Sequence, residues 1–123
     1  MRFESNRSIY EQIVDYIKNQ ILVGHWSPGD RLPSVRELAV ELGVNPNTVQ
    51  RSYTLLQSEM VVFNQRGVGY FVADDGPHRA REGRRRRFEA ETLPRVFETM
   101  HVIGYSMSEL ESAWEKWEKG ARR

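Results

Sequence analysis

A chain of 123 residues holds one ordinary domain, or a small domain with an appendage, and leaves no room for a deep cleft between two large domains. With 18 Lys and Arg against 17 Asp and Glu, its net charge of +1 does not announce a nucleic-acid binder, yet the signs are concentrated apart, in RAREGRRRR at 79–87 and ELESAWEKWE at 109–118. The absence of cysteine excludes disulfides, thiolate metal sites and cysteine nucleophiles, three dispersed histidines offer no metal-ligand spacing, and the lack of a membrane-length apolar run or signal-peptide core points to a soluble cytoplasmic protein without a cofactor.

The helical recurrence of Tyr10, Ile13, Val14, Ile17 and Ile21, with Glu11, Gln12, Asp15, Lys18 and Asn19 on the other face, predicts an amphipathic helix over 8–23. Ser8 and Glu11 have capping-box spacing at its start, and Gly24 ends it. HWSPGDRLP is then a turn-rich connection, with Pro28-Gly29 suited to the centre of a type II turn. A second helix starts at Ser34, again in a capping box with Glu37, carries Val35, Leu38, Ala39 and Leu42 inward and stops at Gly43.

Asn45 is the expected N-cap of a third helix, with Pro46 in the first position, where its missing N–H costs nothing. Val49, Tyr53, Leu56 and Met60 form the expected buried stripe, while Asn47, Arg51, Thr54 and Ser58 face away and Gln50 lies on the flank. Tyr53 shares the apolar face and reads as core rather than as a stacking platform for single strands. Val61-Val62-Phe63 and Tyr70-Phe71-Val72 flank a glycine-bearing turn and predict a hairpin, and Asp74-Asp75-Gly76-Pro77 marks a boundary. Residues 1–75 are thus one domain and 76–123 a helical C-terminal region.

In that region Ala80 to about Glu91 is charged all round, and Leu93, Val96, Phe97 and Met100 make an apolar stripe with a kink or fresh start expected at Pro94. Ser106 and Glu109 open a last helix with Met107, Leu110, Ala113, Trp114 and Trp117 on its stripe, ending near Gly120. Arg84 to Arg87 fit a solvated face, an acidic surface on a second subunit or supplementary phosphate contacts.

The join between helices two and three carries the functional signal. Two helices crossing steeply through a three-residue turn need a small residue where backbones approach, one tolerant of positive φ in the turn and an apolar residue to fill the corner, and Ala39, Gly43 and Val49 supply them. With a hairpin after the third helix, the expected architecture is α+β, mainly α: a winged helix-turn-helix followed by a short helical dimerisation tail. Asn47, Thr48, Gln50 and Arg51 place amide, hydroxyl and guanidinium groups where a helix entering the major groove meets base edges, the amides suited to adenine and Arg51 to guanine or phosphate. Uncapped N–H groups at Asn47 and Thr48 would add affinity for a phosphate. An ordinary solvated face remains the alternative for Arg36 and Arg51, and a plain turn residue for Gly67.

The segment GHWSPGDRLPSVRELAVELGVNPNTVQRSYTLLQSE, with the wing NQRGVGYFV, resembles the N-terminal domain of the GntR family of bacterial transcription factors, over about residues 8–72. The short helical tail resembles the YtrA subfamily, on length and periodicity. One departure is Met60, where such proteins often carry glycine. The resemblance implies that Arg36 contacts DNA backbone or bases, that Asn47, Thr48 and Gln50 lie on the recognition helix, and that Arg66 with Gly67 enters the minor groove at the wing tip. It also implies an operon encoding transporter subunits and the regulator itself as target.

The tail stripes at Leu93, Val96, Phe97, Met100 and at Leu110, Ala113, Trp114, Trp117 are too apolar for a free appendage, so a twin subunit is the expected cover, with folding back onto the winged domain as the alternative. The expected function is repression by occupancy: a homodimer covers an inverted repeat in double-stranded DNA. A small-molecule effector, if one exists, would bind at the dimer interface or between domains. Two other readings are a winged protein-interaction module without DNA, which calls for an acidic or apolar face on helix three, and a fragment of an aminotransferase-fused regulator, against which an end at Arg123 is expected to argue.

Overall fold

The computed structural model describes residues 1–122, in the order α1 (Ile9–Leu22), α2 (Val35–Leu42), α3 (Pro46–Ser58), β1 (Val62–Gln65), β2 (Gly69–Val72), α4 (Gly76–Arg87), a π-helical turn (Phe88–Thr92), α5 (Leu93–Ile103) and α6 (Met107–Ala121). The chain divides into two compact units, Met1–Arg85 and Arg86–Arg123, later than the sequence boundary at 75.

In the first unit α1, α2 and α3 enclose one core, with Ile13, Val14, Ile17 and Ile21 of α1 buried against Leu38, Ala39, Val49, Tyr53 and Leu56. The hydroxyl of Ser8 donates to the Glu11 carboxylate at 2.7 Å and caps no backbone N–H, so the box expected at the start of α1 does not form. At α2 both halves of the box are made: Glu37 N–H donates to Ser34 Oγ at 3.1 Å and Ser34 N–H to Glu37 Oε1 at 3.2 Å. The Ser34 hydroxyl, followed by the Ser34 N–H, holds the Glu37 carboxyl below its usual range. Gly43 closes α2 in the left-handed conformation at φ 69°.

Tyr53 is fully buried on α3 and donates its hydroxyl to the Pro33 carbonyl at 2.6 Å. Burial pushes its pKa well above the tyrosine range, so it stays a neutral donor. The stripe of α3 does not extend to Met60. The helix ends at Ser58, and Met60 lies beyond it with φ 62° and its side chain 56% exposed. The chain needs a left-handed residue there to turn into β1, which overrides the helical period.

β1 and β2 pair antiparallel, Val62 with Val72 through Gln65 with Gly69. The connection before α2 meets β2 in one isolated antiparallel bridge, Arg31 opposite Phe71, in which Val72 N–H donates to Asp30 O at 3.0 Å and Leu32 N–H to Tyr70 O at 2.8 Å. The turn leading into it has Gly29 at φ 87° and an Asp30 N–H to Ser27 O bond of 2.9 Å, as a type II turn at Pro28-Gly29 requires.

The first turns of α4 pack on this unit. A Cβ at Gly76 would meet Val61 O at 2.6 Å, and Ala80 is fully buried. Gly83 leaves room for the buried Lys18 ammonium, which pairs with Glu59 at 2.7 Å, and Arg84 joins Arg7 on the buried Asp15, each at 2.9 Å. Arg84 is therefore an internal anchor, a role none of the three readings of the arginine run contained. Arg87 pairs with Glu91 at 3.7 Å, and Arg85 and Arg86 are exposed.

In the second unit the irregularity expected at Pro94 is the π-helical turn just before α5, which accommodates the carbonyl a proline cannot serve. Gly104 ends α5 at φ 72°, and Ser106 with Glu109 forms the capping box of α6. No described residue of this unit is buried.

Two stability changes follow. Met60→Gly relieves a left-handed cost of about 1–2 kcal/mol against about 0.4–1 kcal/mol of added unfolded-chain entropy, so urea titration should show a net gain of about 0.5–1 kcal/mol. Ser34→Ala should cost about 1 kcal/mol by the same titration whereas Ser8→Ala should cost little, because only Ser34 caps a backbone N–H; equal losses would contradict the two cap geometries.

Candidate nucleic-acid interface

The steep join of α2 and α3 is made as its three positions require: Ala39 and Val49 are buried, and Gly43 turns the chain while Val44 N–H bonds to Ala39 O at 3.0 Å. This leaves the first turns of α3 at the surface, with Asn47, Gln50, Arg51 and Thr54 exposed and Thr48 half-buried. Asn45 occupies both N–H groups expected to be uncapped: Asn47 N–H donates to its Oδ1 at 2.8 Å and Thr48 N–H to its carbonyl at 3.0 Å. A capping asparagine competes with an anion for those donors, so the charge and polarity of this end come from side chains.

Two residues outside the sequence-derived set order that face. The Arg51 guanidinium lies 3.8 Å over the ring of Tyr10 from the start of α1, a cation–π contact that restrains the arginine while leaving it exposed. Asn47, Thr48 and Arg51 line one concavity with Ser8, Ile9 and Tyr10. Gln50 donates its amide to the hydroxyl of Tyr70 on β2 at 3.1 Å and to Thr54 Oγ1 at 3.4 Å, which ties α3 to the wing. Tyr70 in turn stands edge-on against buried Tyr53, ring centroids 4.8 Å apart. In the sequence Tyr70 reads only as part of an apolar wing strand; its partner could not be read from spacing.

Arg36, second residue of α2, is exposed. Arg66 and Gly67 occupy the wing turn, where Val68 N–H bonds to Gln65 O at 2.9 Å and Gly67 takes φ 79°; Arg66 is exposed. The turn needs positive φ, so the glycine serves backbone geometry whatever it touches. Arg31 was not singled out from the sequence. It is exposed, and its guanidinium crosses Gly69 so closely that a Cβ there would meet Nε at 3.0 Å. Arg31, Arg36, Arg51 and Arg66 are thus exposed on four separate segments of one unit.

The tail residues lie in the second unit. Leu93, Val96, Met100 and Leu110 are half-buried, and Phe97, Trp114 and Trp117 exposed, the two tryptophans stacked at 5.5 Å. Between α5 and α6 runs an apolar groove of 440 Å³ lined by Val96, Met100, Ile103, Tyr105 and Leu110 among others. Among the described residues no cluster of three or more His, Asp or Glu could hold a metal, and no helix is long and apolar enough to cross a membrane.

Residues 9–72 match the gntR family of bacterial regulatory proteins. The HTH-type transcriptional repressor YtrA of Bacillus subtilis is 36% identical over 106 residues, 86% of this chain and 81% of YtrA. The HTH-type transcriptional regulator YhcF of the same organism is 44% identical over 73 residues, 59% of this chain and 60% of YhcF, so the match spans less than two thirds of that relative. A GntR family transcriptional regulator from Listeria monocytogenes superposes with a TM-score of 0.74 at 32% identity, covering 93% of this chain and 98% of that one. The chain belongs to the gntR family of bacterial regulatory proteins, a family of DNA-binding transcription regulators rather than enzymes, and resembles YtrA over most of its length.

Proposed function

We propose that this chain is a repressor that binds an inverted-repeat operator in double-stranded DNA as a homodimer, in the cytoplasm, and blocks transcription by occupancy. The observation that carries this reading is the exposed polar end of α3, with Asn47, Gln50 and Arg51, set beside a wing whose turn bears Arg66. Asn47, Thr48 and Gln50 read base edges in the major groove, and Arg51 takes guanine or phosphate. Arg36 positions the domain on the backbone, and Arg66 with Gly67 enters the minor groove. The polar and basic character of this face disfavours a protein-interaction module, which would present acidic or apolar groups.

Homodimerisation is assigned to the second unit. Its Leu93, Val96, Phe97, Met100, Leu110, Trp114 and Trp117 leave more apolar surface open than a free helical hairpin keeps in water. The similarity to YtrA, a transcriptional repressor, supports the sign of regulation; the proposed target is a transporter operon. An effector, where one acts, would enter the second unit's interface.

Docking is checked by salt titration of operator binding. Arg36→Ala and Arg66→Ala each remove one positive charge from the DNA-facing side, so affinity should fall and the slope of log affinity against log salt should flatten by about one unit for each phosphate no longer neutralised. Unchanged affinity and slope in both variants would reject this docking. Asn47→Ala, in contrast, should lower operator affinity more than affinity for random duplex, because a base-edge contact is sequence-specific.

Assembly is checked by sedimentation of the full chain at micromolar concentration. The wild type should be a dimer, and the paired substitution Phe97→Glu with Trp114→Glu should give monomers by placing charge on the apolar stripe. A monomeric wild type, or a dimer that survives both substitutions, would remove the second unit's assigned role.

A further inference from the structure

We infer that Tyr70 is a specificity-determining residue, holding the Gln50 side chain so that only its amide oxygen is free to read a base; the inference rests on the DNA-binding reading of α3. A primary amide has two N–H donors and one oxygen acceptor. The Gln50 nitrogen faces the Tyr70 hydroxyl at 3.1 Å and Thr54 Oγ1 at 3.4 Å. Thr54 has already committed its single hydroxyl hydrogen to the backbone carbonyl oxygen of Gln50 at 2.9 Å, so toward the side-chain amide it can only accept. That settles which end of the amide faces inward: both N–H groups are occupied within the protein and Oε1 is left over.

The clamp is fixed at its far end. The Tyr70 ring rests edge-on against Tyr53, and its backbone is paired on both sides, with Asn64 of β1 and through its carbonyl with Leu32 N–H. The hydroxyl therefore stands at a defined place relative to α3, whereas Gln50 without it would turn either end of its amide outward.

An oxygen-only reader makes a choice that a free glutamine does not. In the major groove adenine N6 and cytosine N4 donate hydrogen bonds, whereas guanine O6 and thymine O4 accept them. Gln50 held in this way favours an amino-bearing base on the strand it meets and is repelled by a keto oxygen. Bidentate reading of adenine, the usual use of glutamine, is closed to it while Tyr70 and Thr54 hold the nitrogen.

Selection of bound DNA from a random-sequence duplex library, using the full chain, tests this. The position that loses its base preference in Gln50→Ala is the one Gln50 reads. There the wild type should favour adenine or cytosine over guanine and thymine by about five-fold or more, and which of the two dominates identifies the base. Tyr70→Phe keeps the ring against Tyr53 but removes the hydroxyl, so that one preference should fall to near parity while other positions keep theirs. Gln50→Glu, which carries only acceptors and lets Tyr70 donate instead, should retain the amino-base preference.

A keto-base preference in the wild type, a preference undiminished in Tyr70→Phe, a uniform loss at all positions in that variant, or a reversal in Gln50→Glu would each overturn the inference. A wild type that enriches sequences while Gln50→Ala flattens no position overturns it too and leaves repression by DNA binding standing. A wild type that enriches no sequence removes both.

Discussion

The hydrogen bond from Tyr53 to the Pro33 carbonyl is the constraint on which the rest of the first unit depends. Its ring fills the space between α3 and the chain entering α2, and the 2.6 Å bond satisfies a hydroxyl that burial would otherwise leave stranded. Loss of such a partner costs about 1–3 kcal/mol, comparable to burying the ring itself. The same ring supports Tyr70 of β2, so one side chain on α3 sets the start of α2 and the inner edge of the wing. Surface groups on the three segments are then held against a common centre. Gln50 reaching Tyr70 is the outward expression of that packing.

A second constraint concerns charge beneath α4. Lys18 and Asp15 are both buried on α1, and each would be expensive to desolvate alone. Glu59 answers the lysine, and Arg7 and Arg84 answer the aspartate. Gly83 and Ala80 let α4 come close enough to complete the set, since a Cβ at Gly83 would fall 2.7 Å from the lysine nitrogen. Ion pairs of this kind add little net stability over an apolar contact, but they penalise any register of α4 that leaves a charge unanswered. Part of the arginine-rich segment thus serves alignment within the chain, while Arg85 and Arg86 face solvent.

The helix-turn-helix was legible because its signals are local. Ser34 with Glu37, and Asn45 accepting from Asn47 N–H, satisfy backbone groups within one turn, Pro46 fits the first helical position, and Gly43 supplies the positive φ that stops α2. The hairpin was legible for the same reason, its turn glycine lying between two apolar runs. Interactions between distant segments were not. The pairing of Asp30 and Leu32 with β2, the contact of Arg84 with Asp15, and the Tyr10 and Tyr70 supports of Arg51 and Gln50 depend on where the core brings the chain, which no spacing encodes. Some local expectations also failed, the free N–H groups at Asn47 and Thr48 among them. Ser8 spends its hydroxyl on the Glu11 carboxylate instead of a backbone N–H, and Met60 follows the helical period yet adopts the conformation that a glycine would take more cheaply.

The second unit poses a different energetic problem. Its helices are well punctuated, with Gly104 ending α5 and the Ser106 box starting α6, so local terms favour the hairpin. Yet no described residue in it is buried, and the stacked Trp114 and Trp117 remain open to solvent. Caps contribute about 1 kcal/mol each, far below the roughly 1–2 kcal/mol of backbone entropy lost for every residue ordered. Burial of apolar surface must supply the difference, and in the proposed homodimer the twin subunit provides it. Ordering of α5 and α6 and association of two chains are then one equilibrium, so the fraction of ordered tails rises with protein concentration. Because a half-site alone is a weak address, under the proposed repression the same equilibrium would set how much protein is needed before paired half-sites are occupied.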